Sequence, residues 1–354
     1  MNVKDVVCNS VYNDLVDVVD NTGLHRQRGK SFLVSGGNGF IAYYLVLCVL
    51  LANDLFELNN TIYILVRDKE KTVKKYQDLL KRRDLIMVIG DVSDNNTEFG
   101  GPYDFIVHAA SGASAEQFNN DPFGVFNANV MGTENLINNI IQLGCESMVF
   151  ISSFTVYGDD TKSVPVIDEK YRGKDDWETS SACYVYGKKS AEFLCSTSVR
   201  KYGCPVKIVR PGFVYGDSSP MDNRVYAEII RNLAEKKNIV MKSSGMLFRS
   251  MVYVTDVVRG IIFALLQGQD GEAYNIANEF VSIRQFAELA SMADETGTVK
   301  VEFVNPDDYK VDTSTVNGGQ METSKLETCG WKAKVSISEG IKMAAESYVH
   351  KYLQ

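Results

Sequence analysis

Two hydroxyl-bearing segments carry the residue types that a proton-transfer site requires. Ser153 and Thr155 follow an apolar run that predicts a strand, and Tyr184 and Lys188 lie four residues apart in a predicted helix. Residues at this spacing share one helix face, so the Lys188 ammonium should stabilise the charged form of the Tyr184 phenol and lower its pKa. A phenol tuned in this way can act as a general base towards a hydroxyl group. We therefore predict that these four residues are catalytic.

A glycine-rich turn supports this interpretation over the alternative, a simple surface pair of tyrosine and lysine. Gly36-Gly37-Asn38-Gly39 follows the apolar run Ser31–Ser35, and Phe40–Ala52 is almost wholly apolar. A strand that turns sharply into a helix while a pyrophosphate approaches its backbone needs positions without a Cβ atom. The apolar stretch is typical of a buried helix and is too short to span a bilayer. We predict a dinucleotide site at Gly36, Gly39, Phe40 and Ile41.

Alternating strands and helices must hold these segments in place. Near-continuous apolar runs predict buried strands at Ser31–Ser35, Thr61–Val66, Leu85–Ile89, Phe105–Ala110, Met148–Ser152 and Val206–Arg210. Helices are predicted between them, including Glu70–Arg83 and Phe123–Leu143. This pattern is typical of a Rossmann-type doubly wound α/β fold with a parallel sheet covered on both faces. Ligands bind such sheets at the carboxyl ends of the strands.

The predicted organisation has three parts. Residues 1–28 form an N-terminal helical extension, because Val11, Leu15, Val18 and Val19 recur at helical spacing. Residues 29–205 are mainly the dinucleotide-binding domain. Residues 206–354 complete the sheet and add a smaller, interleaved C-terminal α/β region that binds substrate.

Composition restricts the partners of this 354-residue chain. The net charge of -8 argues against a nucleic-acid or anionic-membrane surface, because such surfaces concentrate positive charge. Seven cysteines without CxxC spacing predict a reducing cytoplasm, and three histidines without ligand spacing predict no metal site. The N-terminal residues mix charged with apolar side chains, so we predict no secretory signal.

On these motifs the chain resembles the extended short-chain dehydrogenase/reductase family, in particular its nucleotide-sugar epimerases and dehydratases. The resemblance runs from about Gly29 to the C-terminus and includes Ala42 after the glycine turn, Asn129 in Asn-Val-Met-Gly-Thr, and Glu192 after the Tyr184–Lys188 pair. It implies a tightly bound, recycled NAD or NADP and a nucleoside-diphosphate sugar as substrate. It also implies a homodimer paired through helices near 123–143 and 184–202.

The resemblance further implies a role for each matching residue. Tyr184 is the acid/base, Lys188 holds the nicotinamide ribose, and Ser153 binds the reacting hydroxyl. Substrate contacts fall to Ser111, Ser153, Phe213 and Arg249, the last through the diphosphate, whose oxygens suit a guanidinium fork; the alternative for Arg249 is a surface salt bridge. Cofactor contacts fall to Gly36, Gly39, Phe40, Ile41, Arg67, Asp68, Asp91, Val92, Ala109, Ala110, Ser111, Tyr184, Lys188 and Pro211.

Departures from the family pattern bear on the reaction. The 4,6-dehydratases carry an Asp-Glu pair directly after the catalytic Ser/Thr, and the decarboxylases keep a Glu at the second of these positions, where this chain has Phe154 and Thr155. Without that carboxylate the second proton carrier is missing, which favours an epimerase working through a transient 4-keto sugar. A dehydratase, a decarboxylase, a 4-ketosugar reductase and, least favoured, a non-catalytic dinucleotide-binding module stay open. Phe213 also replaces the family's usual Asn.

The end of the second strand leaves the cofactor open. A carboxylate there binds the ribose diol of NAD, whereas an arginine accommodates the 2′-phosphate of NADP. This chain has Arg67 followed by Asp68. The first residue favours NADP and the second favours NAD.

Overall fold

The computed structural model of the protein describes residues 1–158, 161, 164–217, 219–305 and 319–353. Its strands are β1 (Ser31–Ser35), β2 (Thr61–Val66), β3 (Leu85–Ile89), β4 (Phe105–His108), β5 (Ser147–Ile151), β6 (Val166–Ile167), β7 (Val206–Pro211), β8 (Phe213–Tyr215), β9 (Ile239–Met241), β10 (Phe248–Tyr253), β11 (Ala273–Ile276), β12 (Glu279–Ser282), β13 (Val301–Phe303) and β14 (Gln320–Met321). Its helices are α1 (Asn9–Thr22), α2 (Phe40–Phe56), α3 (Lys69–Tyr76), α4 (Ala115–Asn120), α5 (Pro122–Leu143), α6 (Ala182–Tyr202), α7 (Val225–Ala234), α8 (Val254–Gln267), α9 (Ile283–Ala293), α10 (Ser324–Glu327) and α11 (Ile337–Tyr352).

A seven-stranded sheet of order β3-β2-β1-β4-β5-β7-β11 lies at the centre, and all its pairings are parallel. Successive side chains of a strand point to opposite faces. Phe32 and Val34 of β1 therefore join a core with α2 and α8, while Leu33 joins a second core on the other face with α5 and α6. The Rossmann-type doubly wound α/β fold is confirmed.

The N-terminal helix predicted from the spacing of four apolar residues is present as α1. Val11, Leu15, Val18 and Val19 are all buried, and α1 packs on α2 and α8. Arg259, fully buried in α8, holds this helix through an ion pair with Asp17 at 2.8 Å between Nη2 and Oδ2. The extension is thus fixed to the same helices that cover one face of the sheet.

Two predicted helix boundaries were wrong. The helix predicted over Glu70–Arg83 ends at Tyr76, because Gln77 adopts a positive φ of 44° and a separate 3₁₀ turn follows. The helix that begins at Phe40 continues to Phe56 rather than ending at Ala52. Its polar last turn is held by the chain around it: Asn53, for example, accepts a hydrogen bond from the backbone of Asn60 at 3.0 Å.

The later part of the chain returns to the main sheet and also builds small sheets beside it. β7 and β11 form one edge of the main sheet, while β12-β10-β8, β13-β9 and β14-β6 form separate sheets. Helices α7, α9 and α11 pack on one another around them. Strand β8, which directly follows β7, and its neighbour β10 thereby lie close to the carboxyl end of β7.

Candidate active site

The glycine turn between β1 and α2 approaches the neighbouring strand too closely for a side chain. Gly36 has a φ of 69°, and a Cβ atom there would lie 2.6 Å from the Cα of Ala110, just beyond β4. Gly39 precedes the first residue of α2, and no side chain caps this helix N-terminus. Unsatisfied N–H groups and the helix dipole make such an end suitable for a phosphate. The predicted residues Gly36, Gly39, Ala109 and Ala110 therefore meet at one place.

Side chains of α3 hold the outer side of this turn, which the sequence did not indicate. The Tyr76 hydroxyl donates to the carbonyl oxygen of Gly37 at 2.6 Å. The Lys75 ammonium donates to the carbonyl oxygens of Asn38 at 2.9 Å and Gly39 at 3.1 Å. No local signal separates Lys75 from the other lysines of this basic helix.

The ends of β2 and β3 bring Arg67, Asp68 and Asp91 to the same edge. The Arg67 guanidinium forms an ion pair with the Asp91 carboxylate at 3.3 Å. Burial would raise the pKa of Asp91, but hydrogen bonds from Ser93 and the charge of Arg67 lower it. Asp68 caps the N-terminus of α3 by accepting from the backbone of Lys71 at 2.9 Å. The predicted Val92 is buried beside this edge.

Beyond β4, Ser111 is held by a buried amide. Asn129 of α5 donates to the Ser111 hydroxyl at 3.0 Å and to the Val125 carbonyl at 2.8 Å. His108, the last residue of β4, is hydrogen-bonded to Ser35 at 2.7 Å through Nδ1. Burial lowers the pKa of His108 to about 3, with the nearby Lys188 charge acting in the same direction, so the ring is neutral at pH 7. A neutral histidine here is a link between β1 and β4 rather than a cation.

The hydroxyl groups predicted to be catalytic meet at the end of β5. Ser153 accepts hydrogen bonds from the backbone and the hydroxyl of Thr155 at 3.2 and 3.1 Å, and it is hydrogen-bonded to the Tyr184 phenol. The Phe118 ring of α4 stacks on Tyr184 with 5.4 Å between centroids and 29° between planes. No sequence signal indicated Phe118, because it is distant from Tyr184 in the chain and belongs to no motif.

The predicted lowering of the Tyr184 pKa was wrong for the protein on its own. Burial raises the pKa of Tyr184, against the opposing effects of the hydrogen bond from Ser153 and the charge of Arg224. Lys188 does lie over the Tyr184 ring, with Nζ 5.6 Å from its centroid, but it donates to the Ile151 carbonyl at 2.6 Å. Burial lowers the pKa of Lys188 to about 7, which weakens the cation on which the prediction depended.

A buried network of side chains fixes α6, the helix that carries Tyr184, to β7. Glu192 accepts two hydrogen bonds from Arg210, at 2.9 Å from Nε and 2.6 Å from Nη2, and one from Ser152 at 2.5 Å. Arg210 also donates to the Tyr157 hydroxyl at 3.1 Å, which in turn donates to Asn275 at 2.5 Å. The motif match had included Glu192, but its partners are far apart in the chain and could not be paired from the sequence.

The predicted substrate residues Phe213 and Arg249 form an aromatic and cationic wall. The Arg249 guanidinium carbon lies 4.7 Å from the centre of the Phe213 ring, and Phe213 packs on Phe154 at 5.7 Å. Among the residues that the structure describes, Arg249 makes one side-chain hydrogen bond, to the Phe248 carbonyl at 3.0 Å. Its alternative interpretation as a surface salt bridge is not supported among the described residues, since no ion pair of Arg249 is found there. Pro211 ends β7 directly before this wall.

Neither a metal-binding cluster nor a membrane-spanning helix occurs in the described ranges. Within residues 1–158, 161, 164–217, 219–305 and 319–353, no three His, Cys, Asp or Glu side chains cluster so as to hold a metal ion. In the same ranges, no helix combines the length and the apolar character needed to cross a membrane.

The fold and the site define a class: a Rossmann-type protein with a glycine-rich dinucleotide turn and a Ser–Tyr–Lys group at the end of a central strand. The chain belongs to the NAD dependent epimerase/dehydratase family, whose sequence model matches residues 32–277. It therefore carries the dinucleotide dependence of that family, and the resemblance stated from the sequence is confirmed.

Relatives and solved structures agree with this assignment. The chain is 27% identical over 336 residues to dTDP-D-glucose 4,6-dehydratase of Homo sapiens, with 92% of each chain covered. It is 27% identical over 340 residues to UDP-glucuronic acid decarboxylase 5 of Arabidopsis thaliana, again with 92% of each covered. The fold is similar to that of UDP-glucose 4-epimerase from Thermotoga maritima, with a TM-score of 0.74, 24% identity, and coverage of 92% of this chain and 100% of that one.

Proposed function

We propose that the protein is an NAD-dependent epimerase that acts on a nucleoside-diphosphate sugar through a transient 4-keto intermediate. The observation that carries this proposal is the surroundings of Ser153. Its hydroxyl is bonded to Thr155 and Tyr184, while Phe154 turns to the aromatic wall with Phe213. The two positions where the related dehydratases carry carboxylates thus hold a ring and a hydroxyl.

The turn at Gly36 and Gly39 suits a dinucleotide, because the missing Cβ of Gly36 lets the turn pack closely on Ala110 and no side chain caps the N-terminus of α2. Arg67 and Asp68 support NAD rather than NADP. Arg67 is held against Asp91, and Asp68 stands beside it, so a 2′-phosphate would meet two carboxylates. Repulsion between like charges disfavours the phosphorylated ribose.

Catalysis requires a base for the sugar hydroxyl and a site for a hydride. Bound NAD would supply a reversible hydride acceptor for C4 of the sugar. Tyr184 accepts the proton of the C4 hydroxyl, and Ser153 orients that hydroxyl. Because burial raises the pKa of Tyr184, the phenol keeps its proton until further positive charge is present. Lys188, 5.6 Å from the ring centroid, supplies such charge when protonated.

Arg249 and Phe213 support a diphosphate-linked substrate. The guanidinium carbon lies 4.7 Å from the centre of the Phe213 ring, and among the described residues one N–H group is used, for the Phe248 carbonyl. A guanidinium carries five N–H donors in a planar fork that suits phosphate oxygens. Arg224, which the sequence did not single out, adds positive charge near Tyr184.

The second candidate is a lyase on the same scaffold, either a dehydratase or a decarboxylase. The observation favouring it is the identity of 27% to a dehydratase and to a decarboxylase over nine-tenths of the chain. Glu192, which lies on the same helix as Tyr184, is occupied by Arg210 and Ser152. It is therefore poorly placed to replace the missing proton carrier.

A panel of UDP-, dTDP-, CDP- and GDP-sugars tests the proposal. Purified protein with catalytic NAD should convert one of them to a product of unchanged mass and inverted configuration at C4, read by mass spectrometry and NMR. A product that has lost water or carbon dioxide would contradict the epimerase proposal and support the lyase. Consumption of stoichiometric reduced cofactor would instead identify a 4-ketosugar reductase.

We also propose that the protein is a cytoplasmic homodimer. The helices α5 and α6 pack on one another and expose large apolar side chains, among them Phe123 at 80% and Phe193 at 64% exposure. A second copy of this chain would cover them. All seven cysteines are free thiols, as in a reducing compartment. Light scattering should give twice the chain mass for the wild type and for Met292→Asp, whose site is exposed elsewhere, and one chain mass for Phe193→Asp.

A further inference from the structure

Lys75 is a half-buried cation directly behind the dinucleotide turn. Its ammonium donates to the carbonyl oxygens of Asn38 and Gly39, at 2.9 and 3.1 Å. It also lies over the Tyr43 ring, 4.9 Å from the centroid. The neighbouring Lys74 on the same helix is exposed, so the position of Lys75 is specific.

The Asp217 carboxylate acts on Lys75 through its charge but is already paired with another lysine. Asp217 is bound by Lys351 of α11 and accepts hydrogen bonds from Tyr44 and from Ser347, the latter at 2.6 Å. The Lys351 ammonium also lies over the Tyr43 ring, 5.0 Å from its centroid. Within the described residues Lys75 forms no ion pair, so this cluster of two lysines and one aspartate carries a net positive charge.

The two carbonyl contacts help to fix where the N–H groups of the turn point. A peptide unit is planar and trans, so its N–H points away from its carbonyl oxygen. The Gly39 carbonyl accepts from the Tyr43 N–H of α2 at 3.1 Å and from Lys75 at 3.1 Å, so helix and lysine together hold the N–H of Phe40 on the opposite side, at the uncapped end of α2. The Asn38 carbonyl is fixed likewise, while the N–H of Gly39 closes the turn on the Gly36 carbonyl at 2.7 Å.

We propose that Lys75 is a positioning residue for the dinucleotide: it orients the N–H groups of the glycine turn and supplies the uncompensated charge that the pyrophosphate neutralises. The inference rests on the dinucleotide dependence of the family and is independent of which sugar reaction follows. It also ties the turn to the C-terminal helix α11 through Lys351 and Tyr43.

Proton uptake should accompany cofactor binding. Removal from water lowers the pKa of Lys75 to about 7, and the charges of Lys351 and Lys71 act in the same direction while Asp217 opposes them. A bound pyrophosphate favours the protonated form, so NAD affinity should fall as the pH rises above about 7. The groups that face this region are Lys71 and Tyr76 on α3, Tyr43 and Tyr44 on α2, Lys351 and Tyr352 on α11, and Asp217 after β8.

Calorimetry of NAD binding to the full chain tests this inference. Titrations at about pH 8 in buffers of different ionisation enthalpy report the protons taken up. Lys75→Met should weaken NAD binding by about tenfold and remove part of the proton uptake. Lys74→Met is the matched control and should leave both unchanged. The pKa of Lys188 is also about 7, so Lys188 could contribute to the measured proton uptake. Lys188→Met is therefore titrated separately, and the proton uptake that is due to Lys75 should remain in this variant.

Thermal unfolding without cofactor distinguishes positioning from a structural role. Because the folded state lowers the pKa of Lys75, the unfolded chain binds the extra proton between about pH 7 and pH 10, and stability should rise with pH in this window. Lys75→Met removes the free-energy cost of burying a charged ammonium. The thermal unfolding midpoint of this variant should therefore match or exceed that of the wild type near pH 7. A midpoint that falls together with NAD affinity would overturn the inference. Wild-type NAD affinity and proton uptake in Lys75→Met would overturn it equally.

Discussion

The two halves of the candidate site, the glycine turn and the Ser153–Tyr184 region, are defined by different parts of the chain: backbone in the first and side chains in the second. At β1 and β2 the dinucleotide turn is defined by backbone: missing Cβ atoms, an uncapped helix and carbonyl groups held from behind by α3. At β5 and β7 the site is defined by side chains, with Ser153 on Tyr184, Glu192 on Arg210, and Phe213 under Arg249. Substitutions that add side-chain atoms should therefore damage the first half, and substitutions that remove side-chain groups should damage the second.

The largest expected effect lies in the half built from side chains. Tyr184→Phe removes the proposed base and should lower kcat by about 10²–10⁴-fold, while NAD affinity stays near that of the wild type. Turnover by NMR and calorimetric NAD binding measure the two effects. Tyr186→Phe, two residues away, is the control and should keep both. Turnover retained in Tyr184→Phe would contradict the assigned role.

Breaking the buried ion pair should be the most destabilising change. Arg210→Met leaves the Glu192 carboxylate with little exposure and without its guanidinium, at a cost of about 3–5 kcal/mol in the free energy of unfolding. Urea denaturation measures this cost. Arg200→Met, on the exposed last turn of α6, should change stability little. Adding Glu192→Gln to Arg210→Met should recover part of the loss, and equal stability of all variants would show that the network is not needed.

Adding one methyl group should damage the half built from backbone. Gly36→Ala combines a positive φ of 69° with a contact of 2.6 Å, so it should cost more than about 1 kcal/mol of stability and also weaken NAD binding. Gly29→Ala is a close control, because its φ is 67° and no atom lies within 4 Å of the added Cβ. It should cost stability alone. Calorimetry showing equal NAD affinity for both variants would place the cofactor elsewhere.

The smallest effect is expected at the aromatic wall. Phe213→Leu removes the ring under Arg249, and such a cation–π contact contributes about 0.5–1 kcal/mol. KM for the nucleotide sugar should rise several-fold with little change in kcat. Phe280→Leu, whose ring packs on Phe248 instead, serves as the comparison. A loss of kcat without a change in KM would contradict the role of Phe213 in substrate binding and indicate a role in the chemical step.

The main-sheet strands were predictable because buried parallel strands need near-continuous apolar residues. Ser31–Ser35, Thr61–Val66 and Leu85–Ile89 are found at the predicted bounds, and the other predicted main-sheet strands shift by a residue or two at their ends. The break of the basic helix at Gln77 was not predictable, because a positive φ at a glutamine has no local signal. The roles of the named site residues remain proposals, although the structure gathers many of them at one edge of the sheet.

The sequence by itself determined the family and the fold and predicted a place for the dinucleotide, because strand periodicity and glycine spacing are local properties of the chain. The tertiary structure decided which distant side chains meet: Phe118 on Tyr184, Arg210 on Glu192, and Lys75 behind the glycine turn. It also reversed the expected direction of the Tyr184 pKa, since burial depends on everything packed around the phenol. Spacing along a helix brings a lysine near a tyrosine, but the whole fold sets how much water each of them keeps.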